Sequence, residues 1–92
     1  MASRFPYGVR ITEERIEKVK KAEEFLRREG IRIVRARFYD DTTVKIEVDE
    51  DGIEKVIQNR KKTVEFMKEL GFENILLDME GYEMGKLNRA LK

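Results

Sequence analysis

Two arginines stand two residues apart in Arg35-Ala36-Arg37. In an extended segment, residues i and i+2 point to the same side. Their guanidinium forks can then converge on one phosphate or sulfate, each offering a bidentate pair of donors. Lys45 and Glu47, on the next extended segment, are candidate cross-strand neighbours. The spacing also fits a solvated strand face with an Arg–Glu pair of little energetic weight. Arg4 is a further candidate anion contact. It sits in Ser3-Arg4-Phe5-Pro6-Tyr7-Gly8, where Pro6 and Gly8 shape a loop and no need of the fold explains the arginine.

Other chemistry is removed by composition. The 92 residues contain no Cys and no His, so thiol and imidazole nucleophiles, disulfides and Cys/His zinc sites are excluded within this sequence. A metal would have to be held by carboxylates and carbonyls, which suits Mg²⁺ or Ca²⁺. No glycine-rich phosphate loop occurs, because Gly81 and Gly85 are too sparse. The carboxylate pairs Glu13/Glu14 and Asp40/Asp41 fall where a helix start and a turn require them. A net charge of +1 provides no bulk field toward nucleic acid or an anionic membrane. The chain start lacks the apolar run of a signal peptide and no stretch approaches a membrane span, so the expected location is the cytoplasm. A charged fraction of 42% without cysteine fits a heat-adapted protein.

The elements that must position these residues follow from periodicity. Thr12 is a helix N-cap, and Ile16, Val19, Ala22, Phe25 and Leu26 follow at helical spacing, with Gly30 as the stop. The spacing predicts a helix from about Glu13 to Glu29. Ile31 to Tyr39 reads as a strand with Val34, Ala36 and Phe38 on one face; Ile31, Ile33, Arg35, Arg37 and Tyr39 share the other. Thr43 to Val48 is a second strand, joined to the first as an antiparallel hairpin. Next comes one kinked helix or two in series. Ile53, Val56 and Ile57 form its first apolar face, Asn59 is a candidate cap, and Val64, Met67 and Leu70 line the rest up to Gly71. Phe72 to Met79 is a third strand in which Ile75, Leu77 and Met79 alternate; Leu87 to Lys92 is a last turn or tail. The expected fold class is α+β: a single domain over residues 1–92, a two-layer sandwich with a small three-stranded mixed sheet, made of a hairpin plus a crossover strand, and helices on one face.

Four segments in this order carry a family resemblance: Ala2-Ser3-Arg4-Phe5-Pro6-Tyr7-Gly8 with Ile11-Thr12; Ala22-Glu23-Glu24-Phe25-Leu26; Arg35-Ala36-Arg37 with Ile46-Glu47-Val48; and Leu70-Gly71-Phe72 leading to Leu77-Asp78-Met79-Glu80-Gly81-Tyr82, Gly85 and Asn88. Together they resemble the C-terminal domain of the ATP-dependent sacrificial sulfur transferases of the LarE type, in the PP-loop ATP pyrophosphatase superfamily. The resemblance implies a larger enzyme whose N-terminal domain binds ATP and adenylylates a pyridinium carboxylate, after which an enzyme cysteine gives up its sulfur. It implies that Arg4 lies near the reactive loop and that Arg35 and Arg37 form an anion site. Glu24, beside Glu23, and Glu47 would be acidic positions near it. The Ser-Gly-Gly-x-Asp-Ser motif of the nucleotide domain and the sulfur-donating cysteine do not occur in these residues.

The resulting expectation is an accessory or oligomerisation domain with no catalysis of its own. ATP and Mg²⁺ would belong to a separate partner or missing domain, and the partners would be further copies of the chain or a PP-loop ATP-binding subunit. One alternative is a nucleic-acid module using an open sheet face with Arg35, Arg37, Lys45 and Tyr39, which the balanced charge weakens. The other is a self-assembling remnant without activity.

Overall fold

The computed structural model describes Phe5, Gly8 and residues 10–82. The candidate Arg4, together with Gly85, Asn88 and the 87–92 tail, lies outside the described residues. The element order is α1 (Glu13–Arg28), β1 (Val34–Asp40), β2 (Thr43–Val48), α2 (Glu50–Gln58), α3 (Arg60–Glu69) and β3 (Asn74–Leu77).

Local chemistry sets the helix ends. Thr12 Oγ1 accepts the Arg15 N–H at 3.2 Å, with Glu13 and Glu14 in the first turn, where the helix dipole favours negative charge. At the other end Gly30, at φ +91°, lets its N–H reach Arg27 O and the Ile31 N–H reach Leu26 O. α3 closes the same way: Gly71 sits at φ +106°, with Gly71 N to Lys68 O and Phe72 N to Met67 O. Both are Schellman ends. In each, the residue after the glycine, Ile31 or Phe72, turns inward and is buried.

The sheet order is β1-β2-β3. β1 and β2 are antiparallel with Arg35 opposite Glu47 and Arg37 opposite Lys45. β3 lies parallel beside β2, with Lys45 opposite Leu76, and α2 and α3 form the crossover. This is the α+β sandwich with a mixed sheet that the periodicity predicts. Its core joins Val34, Ala36 and Phe38 of β1 and Val44, Ile46 and Val48 of β2 to Val19, Ala22 and Leu26 of α1, Val56 of α2 and Met67 of α3. Phe25 of α1 stacks on Phe66 of α3 at 4.4 Å between ring centroids.

Several expectations need correction. Ile31 does not share the arginine face; it is spent on closing α1 and enters the core. Ile57 is 59% exposed rather than on the apolar face of α2. Of the two readings offered for the stretch after β2, two helices in series is the one found, but Asn59 makes no side-chain cap for α3; its Nδ2 donates back to Lys55 O instead. Met79, read as the end of the third strand, lies beyond β3 and is 87% exposed. The carboxylate pairs do sit in a cap and a turn. Asp40 Oδ1 accepts both the N–H and the hydroxyl of Thr42 at 2.9 Å, and Asp41 takes a two-point contact from Arg15 at 3.1 and 3.0 Å.

Candidate functional site

The pleat of β1 turns Arg35 and Arg37 away from the helices, because Val34, Ala36 and Phe38 take the core side. The same alternation in β2 places Lys45 and Glu47 beside them, since Val44, Ile46 and Val48 are buried on the opposite side. Two rows then cross the sheet. One runs from Arg35 to Glu47 toward Asp78, whose N–H bonds Ile46 O just past β3. The other runs from Arg37 through Lys45 to Leu76.

Glu47 is the hub of this face. It is only 7% exposed although it lies on the side of the sheet that faces away from the helices. Arg37 Nε donates to Glu47 Oε1 at 2.8 Å. Lys45 Nζ stands 3.6 Å from Glu47 Oε2 and 3.7 Å from Asp78 Oδ2. These partners offset the solvation that the carboxylate loses on burial. It also fixes the cations around it. The guanidinium carbon of Arg35 lies 5.2 Å from the centroid of the Tyr82 ring, within cation–π range. Arg35, Arg37 and Lys45 outweigh Glu47 and Asp78, so the face is positive at its surface while its carboxylates lie low. Such an arrangement can receive a phosphate, sulfate or carboxylate through preset donors.

Glu23 and Glu24 separate clearly. Glu24 is exposed on α1. Glu23 is 4% exposed, and its Oε2 accepts the Ala36 N–H at 2.9 Å, in the middle of the Arg35-Ala36-Arg37 run. Arg27 NH2 lies 3.6 Å from its other oxygen. The signal for Glu23 is in the helix period: it stands four residues after Val19 and three before Leu26, inside the buried stripe. Lys45, Asp78 and Tyr82 complete the face around the predicted arginines and Glu47.

Among the described residues, no group of three or more acidic side chains is placed to hold a metal ion. The N-terminus of α2 is capped by its own Asp49, which accepts the Gly52 N–H at 3.0 Å, with Glu50 and Asp51 in the first turn; that charge repels a phosphate. No described helix is long and apolar enough to cross a membrane.

No protein-family model matches the chain. It is 40% identical over 93 residues to an uncharacterized protein of Synechocystis sp., covering 99% of this chain and 34% of that protein. It is 35% identical over 91 residues to the pyridinium-3,5-bisthiocarboxylic acid mononucleotide synthase of Lactiplantibacillus plantarum, covering 99% of this chain and 33% of that enzyme. An uncharacterized protein of Methanocaldococcus jannaschii is 30% identical over 82 residues, 32% of its own length. The chain is thus similar, along most or nearly all of its length, to about a third of each of three larger proteins, one of them named as the synthase of a bisthiocarboxylic acid mononucleotide.

Proposed function

We propose that this chain is an accessory and oligomerisation segment of an ATP-dependent sulfur transferase of the PP-loop type, and that its arginine face holds an anionic group of the substrate or nucleotide. The observation that carries the reading is Arg37 locked on buried Glu47, with Arg35 and Lys45 alongside on the sheet face. Similarity to the bisthiocarboxylic acid synthase supports the sulfur-transferase affiliation. Arg4, outside the described residues, enters this reading as a further anion contact through the family resemblance alone. ATP binding and sulfur donation belong to a partner or to further sequence, because these residues supply neither a phosphate loop nor a thiol.

The test is calorimetric titration of the chain with inorganic pyrophosphate, beside an ATP-hydrolysis assay. The expected result is pyrophosphate binding that Arg35→Met and Arg37→Met each weaken by about tenfold or more, as for loss of a charge-assisted bond worth about 1.5–3 kcal/mol, and no hydrolysis of ATP. Binding that ignores both substitutions would remove the anion site. Tight ATP binding or hydrolysis by the chain alone would remove the accessory role.

A further inference from the structure

We infer that Arg15 is a positioning residue: with Asp41 as its fixed end, it clasps the chain ahead of α1 onto the tip of the β1–β2 hairpin. The hairpin, and not α1 alone, then sets where that stretch of chain lies.

The contacts can be followed outward from the guanidinium, each of whose nitrogens is engaged. Nε donates to Asp41 Oδ1 at 3.1 Å and Nη2 to Asp41 Oδ2 at 3.0 Å, the parallel fork that gives an arginine–carboxylate pair its direction. Nη1 donates to Arg10 O at 2.7 Å. The guanidinium carbon lies 5.3 Å from the centroid of the Phe38 ring. That ring, buried in β1, meets Phe5 at 5.1 Å between centroids. The chain ahead of α1 is thereby held at two points, Arg10 and Phe5. One leads through Arg15 to the hairpin turn and the other to β1.

The fixed end is itself held. Asp40, beside Asp41, takes the N–H and hydroxyl of Thr42 at 2.9 Å and so shapes the turn. Helix formation does not require the bond to Arg10. Thr12 caps α1, and its carbonyl accepts the Ile16 N–H at 2.9 Å, so the helix end is complete from residue 12 onward. The bond to Arg10 O acts on the chain outside the helix. An exposed ion pair alone carries little weight. One side chain that joins a carbonyl, a carboxylate and a buried ring restrains three parts of the chain at once. The planar fork of arginine allows this, whereas a lysine ammonium is a single point charge. Arg4 precedes Phe5 in the sequence, so the clasp bears on the anion contact proposed for Arg4 while standing or falling apart from it.

Limited trypsin digestion of the folded chain, followed by mass spectrometry, is the test, because Arg10–Ile11 is a tryptic bond and its carbonyl is the clasped atom. When opening is fast relative to cleavage, the rate at this bond reports the population of the open form. Arg15→Met and Arg15→Lys each speed the cut by about tenfold or more, the range for loss of a charge-assisted hydrogen bond. Asp41→Ala, a change on the hairpin, speeds it about three- to tenfold, since the fork loses its anchor. The Arg15→Met/Asp41→Ala double variant is cut no faster than Arg15→Met, as for a single shared contact. Cleavage after Lys20 and Lys21, within α1, is the control for general unfolding and keeps its natural rate. Equal acceleration at Lys21 and Arg10 overturns the positioning role, and so does a cut at Arg10 that ignores Asp41→Ala or that Arg15→Lys still resists. Should the Arg15 variants fail to fold, the natural chain decides. Its Arg10–Ile11 bond is cut about tenfold or more slowly than in a short peptide spanning the same bond; an equal rate overturns the clasp.

Discussion

Glu23 and Glu47 are the two buried carboxylates of the described chain, and each is buried for a different reason. Glu47 orients cations; Glu23 satisfies a backbone donor. Glu23→Ala removes the acceptor of the Ala36 N–H and leaves that donor buried and unpaired, so stability falls by about 2–3 kcal/mol. Glu23→Gln retains an acceptor oxygen and loses less. Urea unfolding midpoints at constant m separate the two, and equal losses would show that charge rather than the hydrogen bond matters.

Acid titration tests a different residue-scale feature. Hydrogen bonds from the Arg15 guanidinium hold the Asp41 carboxyl below the ordinary aspartate range, helped by the positive charge and only partly opposed by desolvation. Asp40 is lowered as well, chiefly by the Thr42 N–H and then by its hydroxyl. A carboxylate with a depressed folded-state pKa adds stability that is present above its ordinary pKa and lost as pH falls through the folded value. The window lies below about pH 4. Stability in urea therefore declines through this range, and Asp41→Asn removes part of the slope; a slope unchanged in the variant would assign the acid loss elsewhere. Sequence pattern reaches this scale unevenly. Arg35, Arg37 and Glu47 are legible because strand alternation is rigid. Glu23 against Glu24 is not, because adjacent residues on a helix differ by only 100° and a glutamate within an apolar stripe breaks the composition rule that would otherwise place it outside.

At the scale of elements, the glycines after α1 and α3 do equivalent work. Each admits a left-handed residue, ends a helix, and aims the next residue into the core. Gly71→Ala and Gly30→Ala keep the hydrophobicity but place a Cβ at φ +106° and +91°, so each lowers stability by about 1–2 kcal/mol, read as a drop in thermal midpoint. Gly71→Ala also brings its Cβ to 3.2 Å from Lys18 Nζ, a flexible contact that can move aside, so backbone strain accounts for the loss. These ends explain why helices, hairpin and sheet order are legible while strand starts are not. An alternating apolar run after glycine looks like strand from its first residue. Physically, Ile31 and Phe72 belong to the helix end, and pairing begins only at Val34 and Asn74. Ile57 misleads for a related reason: α2 stops one residue later, too soon for its next turn to cover that side chain.

For the whole molecule, positive and negative charges nearly cancel, and the positive face of the sheet is local rather than general. An anion held there is recognised by geometry and not by long-range attraction. Single-stranded homopolymeric RNA is accordingly expected to give no mobility shift even at low salt, whereas a salt-dependent shift would favour a nucleic-acid role. Partners and assembly are not written in composition or periodicity at all. Those signals report which side of each element is dry within one chain, not what meets its outside.

The bond from Glu23 to the Ala36 N–H has a consequence for solution behaviour. Among the described residues β1 is an edge strand, and edges with vacant main-chain donors invite another chain to add on and the addition to propagate. A carboxylate already seated on that donor closes the middle of this edge to a newcomer, which would have to displace a buried, hydrogen-bonded side chain before its first ladder bond could form. Glu23 is thus a gatekeeper against runaway fibril growth along β1. Sheet-to-sheet growth, if provoked by heating or by Glu23→Ala, is directed by the same contact to the other border of the sheet, at β3.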